Sequence, residues 1–408
     1  MVRKNYLVGI DVGTTQVRVI VGEPRPDGTI SIIGLGLSPS QGMKKGVIVD
    51  LELTVEAIAF AAAEAERMCG MKIDSACVGL PALNTELIHN RGVVAVQSED
   101  REIRPEDIER VLQAARVIAL PLDREIVAVI PREFIVDGYD GIRDPAGMLG
   151  VRLEVDAMIV TSPITSLRNL TRCINRAGIN VSGMVLQPLA AAEVSLTDDE
   201  KELGVFLVDI GGGTTDIALF QEGKLQRLAS VPVGGDHITN DLAIGLRTSF
   251  FTAENIKIEH GSASLAASDS EEEIEISSVG SRERRRVSVQ EISRYIQPRV
   301  QEILHIVREE MIKMGWPELP PAGVVFTGGV SQMRGLIELA ALVFDSDQVR
   351  RADFDYVGLQ NPIYTNAVGL LYYAHKQQPR LYQERASGYK KKPGLWQRLK
   401  DWMNEYIE

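Results

Sequence analysis

The chain has 408 residues and a formal net charge of −12 at pH 7. Hydrophobic residues make up 45% of it and charged residues 25%, which is typical of a folded protein with two or more domains. The acidic balance argues against nucleic acid as a partner, because a phosphate backbone is recognised mainly by clustered Lys and Arg. Three cysteines and five scattered histidines predict neither a disulfide framework nor a histidine metal site.

The N-terminal residues predict a strand rather than a secretory signal. The opening MVRKNYLVGIDVG contains a short apolar run that ends at once in Asp and Gly. No stretch of about 18 consecutive apolar residues follows, so no membrane-spanning helix is expected. Any membrane contact is therefore expected to come from a surface helix.

Two segments share one plan: an apolar strand that ends in Asp, a glycine turn with paired threonines, and a second strand. They are YLVGIDVGTTQVRVIVG (6–22) and VFLVDIGGGTTDIALF (205–220). Aligning DVGTT with DIGGGTT predicts an internal duplication, with two related α/β domains that each present a strand–turn–strand loop.

Further segments lie between and after the repeats. Residues 83–162 predict a strand–helix–strand–strand insertion, whose helix opens near Pro105. In the run 262–286 an acidic block faces a basic block across a possible hairpin. Such a run predicts a solvated loop, with a partner site as the alternative. A third glycine turn, VVFTGGVSQMRG (324–335), follows an apolar strand and precedes a predicted helix.

The paired turns suit a polyphosphate. Glycines let backbone N–H groups approach phosphate oxygens, and threonine hydroxyls add donors. Asp11 and Asp209, at the strand ends, can hold Mg²⁺ through water, and Asp216 is a third candidate. Either turn alone is equally compatible with a plain hairpin. The two turns together with the third glycine turn favour a nucleotide site.

These motifs resemble a known superfamily. DVGTTQVR, DIGGGTTD and VFTGGVS are similar to the two phosphate loops and the adenosine loop of the actin superfamily. Longer stretches, such as REFIVDGYDGIRDPAGMLGVRLEVDAMIV and VPVGGDHITNDLAIGL, resemble the FtsA family of bacterial cell-division proteins. The resemblance implies an α/β, actin-like (ribonuclease H-like) pair of duplicated domains, an inserted α+β subdomain, a C-terminal amphipathic helix, and ATP and Mg²⁺ as cofactors.

The resemblance also implies roles for matching residues. Its phosphate-binding set is Gly13, Thr14, Thr15, Gly211, Gly212, Gly213, Thr214 and Thr215. Gly328 and Gly329 would pack beside the ribose and adenine, with Glu254 and Lys257 at the adenosine. By chemistry alone, such a Glu–Lys pair on a helix is more often a surface ion pair. Gln187 would orient an attacking water for slow hydrolysis at best, and a plain polar residue at a helix start is the alternative.

The same resemblance divides the chain into domains and segments. These are a first actin-like domain (1–82 and 163–191), the inserted subdomain (83–162), a second actin-like domain (192–234 and 315–378), an adenosine-side subdomain (235–314), a flexible linker (379–392) and an amphipathic helix (393–408).

The terminal segment GLWQRLKDWMNEYIE predicts a helix that binds a membrane surface. At about 100° per residue, its apolar residues fall within an arc of roughly 140°. They are Leu395, Trp396, Leu399, Trp402, Met403, Tyr406 and Ile407. Lys390, Lys391 and Lys392 precede them and would meet anionic headgroups. The alternative is a core helix docked on the body, and both the pattern and the resemblance favour the membrane.

Together with the resemblance, these features predict a peripheral division protein at the cytoplasmic face of the cell membrane. The resemblance implies that it forms actin-like filaments with its own copies, binds the C-terminal tail of FtsZ and other division proteins, and tethers FtsZ filaments during septum formation. Filaments would raise the avidity of one weak anchor per copy. Two alternatives stay open. One is a pilus-assembly adaptor, which normally lacks such a helix. The other is a small-molecule kinase, whose catalytic carboxylate and sugar pocket the sequence does not identify.

Overall fold

The computed structural model describes residues 6–265, 272–277, 284–353, 359 and 361–387, with side chains as far as residue 376 in the last helix. The strands within these ranges are β1 Leu7–Val12, β2 Gln16–Pro24, β3 Ile30–Pro39, β4 Met43–Lys44, β5 Val47–Ile48, β6 Ser75–Leu80, β7 Glu86–Ala95, β8 Arg124–Val136, β9 Tyr139–Ile142, β10 Arg152–Pro163, β11 Asn180–Leu186, β12 Val205–Ile210, β13 Thr215–Gln221, β14 Lys224–Val231, β15 Glu273–Ser277, β16 Arg284–Ser288, β17 Val324–Thr327 and β18 Val349–Arg351.

Helices connect these strands. They are α1 Leu51–Cys69, α2 Pro105–Ala115, α3 Ile164–Arg176, α4 Gln187–Ser195, α5 Asp198–Leu203, α6 Gly235–Leu246, α7 Phe250–His260, α8 Val289–Lys313, α9 Leu336–Phe344 and α10 Thr365–Ser387. Short 3₁₀ turns at Gly329–Gln332 and Pro362–Tyr364 precede α9 and α10.

The two repeats fold into sheets of the same topology. The strand order is β3-β2-β1-β6-β11 in the first sheet and β14-β13-β12-β17-β18 in the second. In each sheet the first three strands form an antiparallel meander, and the last two pair in parallel. The predicted internal duplication is thereby confirmed, and it places the two Gly/Thr turns at corresponding strand ends.

The insertion after β6 forms its own antiparallel sheet, with the order β7-β10-β8-β9. Helix α2 covers one face of this sheet, where Val111 packs with Leu153 and Val155. Residues on the other face, such as Ile130, pack against a core that contains Leu207 of the second sheet. The inserted α+β subdomain is therefore packed against both halves of the molecule.

The second repeat carries its own addition at a different point of the topology. Helices α6 to α8 and the β15–β16 hairpin lie between β14 and β17, whereas the four-stranded insertion follows β6. In the hairpin, Arg286 lies 3.7 Å from Glu275, and Ile276 and Val287 are buried in the core. For the described residues of segment 262–286, the structure therefore shows the possible hairpin, and it corrects the solvated loop because Ile276 and Val287 are buried. Exposed ion pairs contribute only about 0–1 kcal/mol, so burial of the apolar residues holds the hairpin in place.

Helix α10 packs on the first domain, although the sequence assigned residues up to 378 to the second. Ala367, Val368 and Leu371 are buried against Ile20 of the first sheet. The helix also continues to Ser387, into the segment 379–392 that was predicted to be a linker. The residues at 380–386 include Arg, Leu, Gln, Glu and Ala, which are good helix formers. The predicted amphipathic helix 393–408 lies outside the described residues.

Helices α4 and α10 cross with almost no space between their backbones. A Cβ atom at Gly369 of α10 would lie 2.0 Å from the carbonyl oxygen of Ala190 in α4. Only glycine fits this crossing, which joins the two halves of the chain.

We expect Gly369→Val to lower the free energy of unfolding by about 2 kcal/mol or more, because the added side chain forces the two helices apart. Gly183→Val in β11 is the matched control, since a Cβ atom there meets nothing within 4 Å. Denaturant unfolding followed by circular dichroism measures both variants. Equal stability of the two variants would contradict the packing at this crossing.

Candidate nucleotide site

The two Gly/Thr turns have the same backbone geometry. The N–H of Gly13 donates to the carbonyl oxygen of Gln16 at 3.0 Å, and the N–H of Gly211 donates to that of Thr214 at 2.9 Å. Each turn follows the central strand of its sheet. The duplication therefore extends to the hydrogen bond that closes each turn.

The turns face each other across the two domains. A Cβ atom at Gly212 would lie 1.9 Å from Oγ1 of Thr15, and one at Gly213 would lie 2.6 Å from Oγ1 of Thr14. Thr14 Oγ1 also accepts a hydrogen bond from the N–H of Gly46 at 3.0 Å. Glycine at 212 and 213 is therefore needed for the two turns to approach this closely.

The second turn is supported by the start of α6. The N–H groups of Gly235 and Asp236 donate to the carbonyl oxygens of Gly211 and Gly212, at 2.9 and 2.8 Å. Thr215 donates from its hydroxyl to the carbonyl oxygen of Val233 at 2.8 Å. The carbonyl groups of Gly211 and Gly212 are thus satisfied, and the positive end of the α6 dipole lies beside the turn.

The backbone N–H groups of the turns fit a phosphate. Within the described residues, no protein acceptor receives a hydrogen bond from the backbone N–H groups of Thr14, Thr15, Gly212 and Gly213. Successive N–H groups of this kind, without side chains in the way, are the donors that bind phosphate oxygens in proteins.

The predicted carboxylates lie beside the turns, together with Gln187. Asp11, only 2% exposed, accepts a hydrogen bond from Nε2 of Gln187 at 2.6 Å and an ion pair from Arg18 at 3.1 Å. Asp209 accepts a hydrogen bond from Nδ2 of Asn366 at 2.9 Å. Asp209 also stands opposite Asp216 in the antiparallel pairing of β12 and β13. The structure therefore brings Asp11, Asp209, Asp216 and Gln187 to one place.

Negative charge is concentrated in this cluster. Burial raises the pKa of Asp209 to about 6, a value that already includes the lowering by the hydrogen bond from Asn366 and the raising by the charge of Asp11. Burial likewise raises the pKa of Asp216 to about 7, with the charge of Asp209 adding to the effect. Such carboxylates favour a nearby cation.

The carboxylates do not form a direct ligand set for a metal. In the part of the chain that the structure describes, no group of three or more His, Cys, Asp and Glu side chains is arranged to hold an ion. Binding of Mg²⁺ through water, as Mg²⁺ often prefers, stays a prediction for Asp11, Asp209 and Asp216.

Glu254 and Lys257 form a largely buried pair beneath the start of α6. Lys257, 9% exposed, lies 2.7 Å from Glu254 and donates to the carbonyl oxygen of Gly235 at 3.1 Å and to Oγ1 of Thr239 at 2.8 Å. The pair is therefore not a surface ion pair. It lies next to the second turn, and its contact with a nucleoside stays a prediction.

The third glycine turn lies against the second carboxylate. Gly328 has a φ of +84°, and a Cβ atom there would lie 2.2 Å from Oδ1 of Asp209. Gly329 opens the following 3₁₀ turn. The hydroxyl of Thr327 donates to Oγ1 of Thr365 at 2.9 Å, and Thr365 is the first residue of α10. All three glycine turns thus meet at one site.

The residues of the site that the sequence did not predict include Arg18, Ser230 and Asn366. Arg18 pairs with Asp11 in register, as Asp216 pairs with Asp209. Aligning DVGTTQVR with DIGGGTTD would have revealed Arg18, because it occupies the position of Asp216. Ser230 donates from its hydroxyl to Asp216, and neither Ser230 nor Asn366 belongs to a local motif.

The predicted membrane-binding residues, 390–392 and 395–407, lie outside the described residues. Among the helices that the structure describes, none is long and apolar enough to cross a bilayer.

We expect Asp216→Asn to stabilise the ligand-free protein, and increasingly so as the pH rises. The folded pKa of Asp216, about 7, exceeds its ordinary value of 3.8, so wild-type stability falls as the pH rises through this window. The difference in Tm between variant and wild type should therefore grow from pH 5 to pH 8. A difference that stays flat across this pH range for Asp216→Asn would contradict the raised pKa.

Solved structures with low sequence identity share the fold. The PilM–PilN type IV pilus biogenesis complex gives a TM-score of 0.63 at 16% identity, with 91% of this chain and 98% of the other covered. MreB 5 of Spiroplasma citri bound to AMPPNP gives a TM-score of 0.57 at 15% identity, with 93% and 99% covered. The fold of the chain is thus actin-like.

Sequence comparisons identify the family. A family model described as the SHS2 domain inserted in FtsA matches residues 83–161, and one described as cell division protein FtsA matches residues 206–369. The chain is 46% identical over 367 residues to cell division protein FtsA of Bacillus subtilis, covering 90% of this chain and 83% of that protein. It is 42% identical over 376 residues to cell division protein FtsA of Pseudomonas aeruginosa, covering 91% and 90%. With the actin-like fold and the inserted subdomain, these matches show that the chain belongs to the FtsA family of cell division proteins.

Proposed function

We propose that this protein binds Mg²⁺-ATP between its two domains and polymerises into actin-like filaments. We further propose that it tethers FtsZ filaments to the cytoplasmic face of the membrane, at the division site, during septum formation. The observation that carries the nucleotide part is the meeting of two Gly/Thr turns beside three neighbouring carboxylates. Membership of the FtsA family supports the role in division.

Each part of the site has a defined role in this proposal. The two turns supply N–H and hydroxyl donors to the phosphates, and Asp11, Asp209 and Asp216 would hold Mg²⁺ through water. The bound cation would offset the negative charge of the phosphates and carboxylates. The nucleoside would lie by Gly328, Gly329, Glu254 and Lys257.

Gln187 is suited to orient a water molecule. It is 7% exposed, opens α4 and donates to Asp11, so its amide is held in place beside the phosphate turns. A neutral amide cannot remove a proton from water, so hydrolysis would depend on positioning and electrostatics. Slow turnover follows, which suits a filament-forming scaffold better than a metabolic kinase.

Nucleotide binding would act on both domains at once. One turn belongs to each domain, so a ligand that contacts both stabilises the arrangement in which they meet. Helix α10 starts beside the site at Thr365 and runs to Ser387, a length of about 35 Å at 1.5 Å per residue. A single helix therefore leads from the nucleotide site towards the predicted membrane anchor at 393–408.

We expect Asp209→Ala to abolish Mg²⁺-dependent ATP binding, because one of the carboxylates around the cation is lost. Isothermal titration calorimetry with Mg²⁺-ATP measures the affinity. Asp140→Ala, in the exposed strand β9, is the control and should bind as wild type does. Wild-type affinity in Asp209→Ala would rule out the proposed metal role.

We expect deletion of residues 394–408 to release the protein from vesicles that contain anionic lipid, because the apolar face of the terminal helix is removed. A full-length variant with Asn404→Ser and Glu405→Gln, on the polar face, is the control and should stay bound. Co-sedimentation with vesicles measures both. The FtsZ tail peptide should sediment with the full-length protein and remain in the supernatant with the deletion variant. Unchanged vesicle binding after the deletion would refute the anchor.

A further inference from the structure

Helices α4 and α10 both begin at the site, and each binds one carboxylate through a side-chain amide. Gln187 opens α4 and donates to Oδ1 of Asp11 at 2.6 Å. Asn366 lies in the first turn of α10 and donates to Oδ2 of Asp209 at 2.9 Å. Because Asp11 and Asp209 lie on corresponding strands of the two sheets, the two contacts are equivalent under the internal duplication.

The equivalence includes the crossing of the two helices. Ala190 lies one turn beyond Gln187, and Gly369 lies one turn beyond Asn366. A Cβ atom at Gly369 would lie 2.0 Å from the carbonyl oxygen of Ala190, so the backbones touch at this level. The crossing therefore fixes the position of both amide side chains relative to each other.

Asn366 has a polar atom that the protein does not satisfy. Its Oδ1 is buried and accepts no hydrogen bond within the described residues. A buried acceptor without a donor costs about 1–3 kcal/mol, which a fold tolerates more readily where a ligand supplies the donor. Oδ1 belongs to the same amide that donates to Asp209, so it lies beside the carboxylate that would hold the cation.

Asp209 has little freedom to change its orientation. Asn366 binds one carboxylate oxygen, and the other lies close to Gly328, where a Cβ atom would come within 2.2 Å. Loss of the Asn366 amide would remove the hydrogen bond that holds Asp209 from the side of α10.

We propose that Asn366 is a positioning residue of the metal site, the counterpart of Gln187 in the second repeat. Its Nδ2 holds the carboxylate of Asp209 for the Mg²⁺-nucleotide complex, and its Oδ1 accepts a hydrogen bond from a donor that arrives with that complex. The inference rests on the proposed nucleotide-binding function. Partners that orient a metal-binding group in this way typically change metal affinity by about 10–100-fold when removed.

A purely structural role would give Asn366 a different signature. The preceding residue, Thr365, shows what such a role looks like. It is 1% exposed, donates from its hydroxyl to the carbonyl oxygen of Pro362 at 2.8 Å and accepts from Thr327 at 2.9 Å. Thr365→Val removes these bonds in the same helical turn without touching Asp209, so it is the matched control.

The test compares ATP affinity by calorimetry with Mg²⁺ and with EDTA, on the full chain. For Asn366→Ala, the gain in affinity due to Mg²⁺ should fall about 10-fold or more, while the affinity in EDTA stays at the wild-type value. Asn366→Ser should do the same, because its hydroxyl is too short to reach Asp209. Thr365→Val should lower Tm, and its gain in ATP affinity due to Mg²⁺ should equal that of the wild type. Circular dichroism establishes that each variant is folded.

Four results would overturn the proposal. If Mg²⁺ raised the ATP affinity of folded Asn366→Ala and Asn366→Ser as much as that of the wild type, the amide would not act on the metal. An equal loss of the Mg²⁺-dependent gain in affinity in Thr365→Val would show that helix packing, and not the Asn366 amide, causes the loss. Failure of both Asn366 variants to fold would make the residue structural. Absence of ATP binding by the wild type would instead refute the proposed function, and this inference with it.

Discussion

Thr15 of the first domain and Gly212 of the second lie so close that a Cβ atom on the glycine would come within 1.9 Å of the threonine hydroxyl. Two sheets of identical strand order must be held in a fixed relation for their turns to meet like this. The close approach makes glycine necessary in the second turn, and it also gathers the strand-end carboxylates at one place. The rest of the site depends on this contact between domains.

Gathering carboxylates destabilises the ligand-free fold, and the surrounding residues limit that cost. Asp11 is paired with Arg18 and Gln187, Asp209 with Asn366, and Asp216 with Ser230. Gln187 and Asn366 come from the two helices that cross at Gly369, so the packing that joins the domains also positions the acids. Stability and ligand binding are opposed at the carboxylates. Their negative charge attracts a cation, but the burial of that charge destabilises the ligand-free fold.

The duplication could be predicted from sequence because its signal is local. An apolar strand, an Asp and a Gly/Thr turn follow one another twice along the chain. Most of the inserted subdomain could be predicted as well, because three of its strands and its helix have clear patterns. The fourth strand, β9, has only four residues and was missed. The acidic and basic blocks of 262–286 indicated a possible hairpin but were interpreted as a solvated loop. The burial of Ile276 and Val287 that holds the hairpin in place depends on the distant helices of the core.

Other features depend on contacts between parts distant in sequence. Asn366 lies in no motif, and its hydrogen bond to Asp209 depends on where α10 packs. The structure packs α10 on the first sheet, whereas the sequence assigned these residues to the second domain. The burial of Lys257 beneath α6 likewise could not be distinguished from a surface ion pair, because the spacing of Glu254 and Lys257 is the same in both cases. The helical segment up to Ser387 was missed because its polar composition shows no apolar period.

The most direct measurement is a crystal structure of the protein with Mg²⁺ and a non-hydrolysable ATP analogue. We expect phosphates between the turns Gly13–Thr15 and Gly211–Thr214, with the cation beside Asp11, Asp209 and Asp216. An analogue bound elsewhere, or a space between the turns filled by side chains while the ligand is in excess, would contradict it.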